Sequence, residues 1–283
     1  MGYIVAWQAR PPFTLLTRNG RRMPHAGTCD SCRTRCSQAS SPLTMNVAMT
    51  QIDSAAEFTR RISNEFLSAY CTARGYAMSG FRPASISVAW EDARDFLRAF
   101  ECGLMVEAGK SGYRLPRSAA TEVLFWEGLR AVSPRPIYLW REPVITIAAV
   151  ARLHLDYGWP RDCLGMQPPK WAFDFSASLQ VPAGAGYTEY VLGEVKKSAR
   201  EVDALIRDMH SLCESEPIAE PPRDDRRRNA YRKWRYLRNS HAVLFWAVGP
   251  AKTGQLFEVQ RSASGKMSLG PTHLSRLSYP ACM

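Results

Sequence analysis

Apolar and polar side chains alternate along two segments in the second half of the chain. The first covers about residues 171–181, where aromatic and aliphatic residues alternate with Asp and Ser, and the second covers about 188–196. Successive side chains of a β-strand point to opposite faces, so both segments are predicted strands. The intervening residues 181–187 are rich in Pro and Gly, which reverse a chain. The pattern therefore predicts a β-hairpin with one apolar and one polar face.

Other segments repeat apolar residues at the spacing of a helix. Six of them are predicted helices: 52–76, 91–102, 119–131, 143–157, 199–213 and 226–238. Further strands are predicted over 241–248 and 255–261, and two short strands flank a turn at 109–112. Strands interleaved with amphipathic helices indicate an α/β fold, in which a mixed sheet is flanked by helices.

The chain divides into three predicted regions. Residues 1–50 mix Pro, Gly, Ser and basic residues without a sustained period and are expected to be a flexible leader. Residues 51–130 form a mostly helical N-terminal region with a small β-hairpin. This region would be either a winged-helix-like module that contacts DNA or a cap that only packs on its neighbour. A Pro-Arg-Pro break at 134–136 precedes the predicted core, residues 137–283.

The leader contains the densest group of cysteines in the chain. Cys29, Cys32 and Cys36 have a spacing that can begin a zinc site, and His25 is the nearest fourth ligand. A structural zinc ion takes four ligands, and a flexible leader without metal accounts for the same residues. The metal-free leader is the favoured interpretation.

Composition and charge narrow the function classes. With 46% hydrophobic and 22% charged residues, the chain is typical of a globular protein. It has no run of roughly 20 apolar residues to span a membrane and no secretory signal, so no membrane partner and a reducing, cytoplasmic setting are expected. Leu104 stands where a phosphate-binding loop ending at 109–111 requires Gly, which excludes nucleotide hydrolysis of that type. The formal charge of +11 favours a polyanionic partner, above all nucleic acid.

Positive charge is concentrated between residues 223 and 238. Within the helix predicted there, Ala230, Trp234 and Leu237 share one face and are expected to face the core. The candidate contacts to nucleic-acid phosphates are Arg226, Arg227, Arg228, Arg232, Lys233, Arg235 and Arg238. Such cations bind phosphates by neutralising them and releasing their counterions. A solvated basic face without a ligand is the alternative.

Acidic and basic side chains fall on the polar face of the predicted hairpin. Glu194 and Lys196 are two residues apart and therefore share a face, and Asp174 lies on the polar face of the other strand. Carboxylate oxygens suit Mg²⁺, and a lysine offers a compact charge for a phosphate. The hairpin thus predicts a site for a divalent metal and a phosphate, with a plain Glu–Lys ion pair as the alternative.

The order of these residues resembles a known family. Asp174, then Glu194-Val195-Lys196 at the end of an apolar strand, then an amphipathic helix, resembles the PD-(D/E)XK nuclease superfamily, although Phe173 replaces the Pro. The resemblance covers roughly half the chain and implies a restriction-endonuclease-like fold. It implies a Mg²⁺-dependent endonuclease, with Mn²⁺ as a substitute, that hydrolyses phosphodiester bonds. DNA is favoured over RNA because most of the superfamily acts on DNA, and a homodimer would suit double-strand cleavage.

The resemblance also assigns roles to residues of the hairpin. Asp174, Glu194 and the carbonyl of Val195 would hold the metal. Lys196 would hold the attacking water or the scissile phosphate.

The family often adds an acid on the helix before the first core strand. Glu142 best matches that position, and Glu122 and Glu127 are weaker candidates. On the helix that follows the hairpin, His210 is a weak candidate for a base.

Two other functions stay open. The chain would be a non-catalytic nucleic-acid-binding protein if the nuclease-like core were inactive. It would be a regulatory winged-helix protein if residues 80–118 carried the function. The intact set of Asp174, Glu194 and Lys196 favours the nuclease, because an inactive core would tolerate the loss of one of them.

Overall fold

The N-terminal part of the molecule is helical. A computed structural model describes residues 51–168, 172–181, 186–215 and 221–280, so the predicted leader and its cysteines lie outside the described residues. The helices of this part are α1 (Gln51–Arg61), a π-helix (Ile62–Phe66), α2 (Leu67–Arg74) and α3 (Trp90–Glu101). They confirm the helical predictions over 52–76 and 91–102.

Short strands follow these helices. They are β1 (Val106–Glu107), β2 (Gly112–Arg114), β3 (Glu122–Val123), β4 (Phe125–Glu127) and β5 (Ile137–Leu139). The first two confirm the predicted hairpin, but the helix predicted over 119–131 is wrong. Trp126 and Leu129, two apolar positions of that predicted helix, are 47% and 72% exposed. Strand partners distant in sequence override the local spacing here, since β3 pairs with β2 and β4 with β5.

A six-stranded mixed sheet forms the centre of the second half. Its strands are β6 (Leu164–Met166), β7 (Phe175–Gln180), β8 (Tyr187–Val195), β9 (Leu244–Val248), β10 (Gly254–Arg261) and β11 (Met267–Thr272). They lie in sequence order across the sheet. Every pair is antiparallel except β8 and β9, which are parallel and are connected through two helices.

Three helices accompany this sheet: α4 (Arg141–Leu155), α5 (Ala199–Glu214) and α6 (Asp225–Asn239). Their positions confirm the predicted helices to within two residues at each end. The side chain of Ser198 caps α5, and the side chain of Asp224 caps α6 by accepting a hydrogen bond from the Arg227 amide at 2.9 Å. Among the described residues, no helix is both long and apolar enough to cross a bilayer.

The two faces of the sheet are buried in different apolar clusters. Phe175 and Val195 pack in the cluster that contains α4 and the N-terminal helices. Leu192 and Phe245 pack in the cluster that contains α5 and α6. Because side chains alternate along β8, Glu194 lies on the same face as Leu192, towards α5 and α6. The fold is therefore mixed α/β, with helices on both faces of a mixed sheet.

A buried ion network joins α3 to α4. The Arg152 guanidinium donates to Asp95 at 2.6 Å and to Asp92 at 2.5 Å, and Asp92 also accepts the amide of Ala251 at 2.8 Å. Ala251 follows β9, so the network also reaches the central sheet. Contacts group residues 48–283 into one compact unit.

Candidate active site

Strand register brings Asp174 opposite Glu194. Phe175 pairs with Gly193, and the amide of Asp174 donates to the Gly193 carbonyl at 2.9 Å. Directly opposed residues of an antiparallel pair share a face, so both carboxylates lie on the side of α5 and α6. A Cβ at position 193 would lie only 1.9 Å from the Phe175 ring. Glycine is therefore required there for the close crossing of the two strands beside the carboxylates.

Asp174 is held by the neighbouring strand. Its Oδ2 accepts a hydrogen bond from the Val195 amide at 2.7 Å. Burial, together with the nearby charge of Glu194, raises the pKa of Asp174 well above its ordinary value. The side chain of Val195 is fully buried on the opposite face. The proposed role of its carbonyl as a metal ligand stays a prediction.

Glu194 is only 2% exposed and lies between two lysines. Lys196 Nζ is 2.5 Å from Glu194 Oε1, and Lys233 Nζ is 3.1 Å from Oε2. Burial opposes the charge of Lys196, but Glu194, Asp174 and Glu142 outweigh it and raise the pKa of Lys196 above its ordinary value. Lys196 is therefore protonated and positively charged beside both acids.

Lys233 lies beside the carboxylates, whereas the sequence identifies it only as a candidate phosphate contact. Its side chain is buried, with 5% of the residue's surface exposed. Its ammonium donates to the Ala172 carbonyl at 2.8 Å in addition to pairing with Glu194. The spacing contained the signal, because 233 lies three residues after buried Ala230 and four before buried Leu237.

The two carboxylates retain oxygens that a divalent cation can use. Glu194 Oε2 is buried and makes no hydrogen bond, in spite of its ion-pair distance to Lys233, and the described residues provide no hydrogen bond to Asp174 Oδ1. Two carboxylates that repel each other across a strand pair are a donor set that suits Mg²⁺. No group of three or more His, Cys, Asp or Glu side chains able to hold a metal occurs among the described residues. A metal here would therefore need backbone carbonyls or water as additional ligands.

Glu142 lies in the first turn of α4, and Lys196 is within range of its charge. The Trp140 indole donates to Glu142 Oε2 at 3.2 Å, and Glu142 contributes to the raised pKa of Lys196. Among the described contacts, no hydrogen bond connects Glu142 with Asp174 or Glu194. Its predicted role as an additional acid stays a prediction.

Glu122 is linked to the site more directly than its weak sequence signal indicated. It is 5% exposed and accepts a hydrogen bond from the Gln167 side chain at 2.7 Å, while the Gln167 amide donates to the Asp174 carbonyl at 2.7 Å. Burial, with a smaller contribution from Glu142, raises the pKa of Glu122 above its ordinary value. The incorrect helix over 119–131 hid this residue, because a helix would not have placed it beside β6.

The remaining acid and base candidates lie outside this cluster. Glu127 pairs with Arg135 at 2.7 Å and accepts a hydrogen bond from the Tyr70 hydroxyl at 2.9 Å. The His210 ring packs edge-on against Phe257, with ring centres 5.4 Å apart. Both residues therefore have structural contacts of their own.

The basic helix α6 divides its cations between internal contacts and solvent. Ala230, Trp234 and Leu237 are buried, which confirms the predicted inner face. Three arginines have partners within the fold: Arg226 with Asp208 at 2.8 Å, Arg228 with Asp225 at 3.1 Å, and Arg238 with the Gly265 carbonyl at 3.2 Å. The exposed arginines without an ion pair to the described residues are Arg227, Arg232 and Arg235.

A cleft of about 840 Å³ is lined by residues of β7, β8 and α6, and neither Asp174 nor Glu194 is part of its wall. Its wall includes Ser176 and Ser178, which share the polar face of β7 with Asp174, and Arg232 and Arg235 of α6. Arg117 contributes from the loop before β3, a residue that the sequence did not single out. The cleft thus joins exposed cations to the strand that carries Asp174.

Comparison of this chain with protein-family models, with curated proteins and with solved structures found no match. The residues of the site and their geometry are therefore the basis on which a function is inferred.

Proposed function

We propose that this protein is a Mg²⁺-dependent nuclease that hydrolyses phosphodiester bonds, with DNA as the favoured substrate. The observation that carries the proposal is the convergence of Asp174 and Glu194 on one sheet face, with Lys196 bonded to Glu194. The perturbed pKa of Asp174 supports it, since strongly shifted groups cluster at functional sites. The mixed sheet with helices on both faces supports a restriction-endonuclease-like fold as the finer assignment.

Each residue has a defined part in this mechanism. Asp174 and Glu194 would hold the cation through carboxylate oxygens, and the Val195 carbonyl would complete the protein ligands. When bound, Mg²⁺ supplies Lewis acidity towards the phosphate and lowers the pKa of a water molecule. The protonated Lys196 would orient the scissile phosphate or stabilise the charge that develops on it. Glu142, which lies within electrostatic range of Lys196, would position that ammonium.

One set of contacts favours a second function, a non-catalytic nucleic-acid-binding protein. Lysines approach both oxygens of Glu194, so this acid is already neutralised without a metal. The described residues also lack a three-residue metal group. A core in which lysines replace the metal would retain its fold and its basic helix but would not cut.

Nuclease assays on purified protein distinguish the two functions. We expect labelled DNA to be cut with Mg²⁺ or Mn²⁺ and to stay intact with chelator. Glu194→Gln keeps the shape of the side chain but removes its charge, and Lys196→Met removes the ammonium. Each variant is expected to cut at a rate lower by on the order of 10²-fold or more, as is found when one electrostatic contact to a transition state is lost. Asp203→Asn on the exposed side of α5 and Lys266→Met are the matched controls.

Two outcomes of these assays would contradict the proposed nuclease. Cleavage that both site variants retain at the wild-type rate would reject this site. If the wild-type protein binds DNA but fails to cut it with every divalent metal tested, the binding function is established instead.

A further inference from the structure

The wall of the 840 Å³ cleft carries an excess of positive charge, which favours the binding of anions. Arg117, Arg232 and Arg235 contribute three permanent positive charges to its wall, and Glu189 is its single acid among the described residues. Glu189 already accepts a hydrogen bond from the Tyr236 hydroxyl at 2.8 Å. None of the three arginines has an ion pair to the described residues, and unpaired charges of one sign in a concave site attract phosphates.

The cleft also offers an aromatic surface. Tyr187 begins β8, lines the cleft and is 37% exposed. The guanidinium of Arg117 lies 3.7 Å from the centre of its ring. An arginine stacked on an exposed tyrosine presents a flat, cationic platform, which is the type of surface on which unpaired bases stack.

A close backbone approach holds this platform in place. The Arg117 amide donates to the Leu164 carbonyl at 3.2 Å, so the loop before β3 follows the edge strand β6. A Cβ at Gly165 would lie 2.6 Å from the Arg117 carbonyl oxygen. Gly165 thus permits the contact that brings Arg117 to the cleft.

The volume of the cleft indicates what form of ligand it can hold. Its volume of about 840 Å³ falls within the range of pockets that enclose small ligands. A double helix, in contrast, is bound over a broad surface of roughly 1,000–2,500 Å². The volume of the cleft is therefore suited to a few unpaired nucleotides.

The cleft wall comes within two residues of Asp174. Ser176 lies in the wall, and Asp174 directly precedes β7 on the same face, about 7 Å from Ser176 along the chain. That distance is the rise of about two stacked nucleotides. A strand bound in the cleft would therefore lie about two nucleotides from Asp174.

We infer that the cleft binds a single-stranded segment of nucleic acid, whose phosphates contact Arg117, Arg232 and Arg235 and one of whose bases stacks on Tyr187. This inference rests on the proposed function, because it names the form in which the substrate approaches the carboxylates. It assigns a binding role to Arg117 and Tyr187.

Binding of a fluorescein-labelled eight-nucleotide oligo-dT to the full chain tests the inference. The measurement is fluorescence anisotropy in EDTA, so that no cleavage occurs. Arg232→Gln combined with Arg235→Gln is expected to raise Kd at least tenfold and to lower the salt dependence by about 1.4, since each phosphate contact to a single strand contributes about 0.7. Arg207→Gln, an exposed position on α5 outside the cleft wall, is the matched control and should change Kd less than twofold.

Two single variants on other elements provide independent evidence if the double variant folds poorly. Arg117→Gln and Tyr187→Leu are each expected to raise Kd about fivefold or more, in line with the energy of one stacked base. A duplex of the same length should bind more weakly than the single strand. Cleft variants that match the Arg207→Gln control, or a duplex that binds more tightly, would overturn the inference.

The failure of this inference and the failure of the proposed function are distinguishable. If Glu194→Gln abolishes cleavage while the cleft variants neither bind nor cut differently from wild type, the nuclease stands and the cleft proposal falls. If the oligonucleotide binds in the cleft but no metal supports cleavage, the cleft proposal stands and the nuclease falls.

Discussion

The surroundings of Asp174 oppose its negative charge. Asp174 is held by the Val195 amide, lies opposite Glu194 and has a raised pKa, while the positive charges of Lys196 and Lys233 lower the cost only in part. Such an arrangement is unfavourable for folding in the absence of a bound cation. A bound cation would relieve the repulsion between Asp174 and Glu194.

Magnesium is therefore expected to stabilise the protein through Asp174. Binding of Mg²⁺ should raise the Tm of the wild type by about 2–4 °C for each kcal/mol of binding free energy, and Asp174→Asn should remove this response. In metal-free buffer the variant should be more stable than wild type at neutral pH. The folded-state pKa of Asp174 is raised, so wild-type stability falls as pH rises from the unfolded pKa through the folded one.

Differential scanning fluorimetry with Mg²⁺ and with EDTA measures both effects. Asp203→Asn, an exposed carboxylate outside the site, should respond to Mg²⁺ as the wild type does. An equal Mg²⁺ shift in wild type and Asp174→Asn would show that the cation binds elsewhere.

Glu122 should make stability depend on pH independently of any metal. Burial raises its folded-state pKa, so the folded protein loses stability as pH rises from the unfolded pKa of this acid through the folded one. Glu122→Gln keeps an oxygen to accept the Gln167 hydrogen bond but cannot ionise. Urea titrations between pH 4 and pH 8 should show the variant gaining stability over wild type with rising pH. A constant difference between the two proteins across this range would contradict the prediction.

At the scale of elements, the sequence predicts what alternation and periodicity determine. The hairpin of β7 and β8, the face shared by Asp174, Glu194 and Lys196, and the helices α4, α5 and α6 all follow from the order of apolar residues. The segment 119–131 could not be predicted in this way, because its strands depend on partners at 112–114 and 137–139. The same error concealed Glu122.

The helix α6 shows a second limit of prediction from spacing. Its run of arginines and lysine indicates a basic surface, but Lys233 belongs to the buried stripe and enters the site through Glu194. Only the inward orientation of position 233 distinguishes this lysine from its exposed neighbours. Helical spacing places position 233 beside buried Ala230 and Leu237, but it does not show that Glu194 lies opposite, and this contact makes Lys233 a site residue.

Lys233 is expected to anchor α6 to the sheet. Lys233→Met leaves Glu194 without one of its two cationic partners and is expected to lower the free energy of unfolding by about 3 kcal/mol, as for a broken buried ion pair. The double variant Lys233→Met with Glu194→Gln should lose less than the sum of the two single losses, because the uncompensated charge is gone. Denaturant unfolding measures all three proteins, with Lys266→Met as the exposed control. Additive losses in the double variant would show that the two side chains do not interact.

At the scale of the molecule, the helical N-terminal part and the sheet share one compact unit. The predicted division between residues 51–130 and 137–283 falls inside this unit. Helix α3 packs against α4 through the network of Arg152 with Asp92 and Asp95. Asp92 also accepts the Ala251 amide after β9. A single buried arginine thus connects two helices and the turn beyond the strand that pairs with β8.

Arg152→Met tests whether these parts unfold together. The substitution leaves buried Asp92 without its ion-pair partner, while Asp95 keeps Arg94, Arg98 and Lys252. Loss of the partner of Asp92 should cost about 3 kcal/mol of unfolding free energy. If the compact unit is cooperative, the transition should shift as a whole, with coincident midpoints from tryptophan fluorescence and far-UV circular dichroism. Arg276→Met removes an exposed ion pair with Glu258 and should change stability by less than about 1 kcal/mol. If the fluorescence and circular dichroism midpoints of Arg152→Met differ, the network couples two parts that can unfold independently. The site on β7 and β8 would then stay folded without the N-terminal helices.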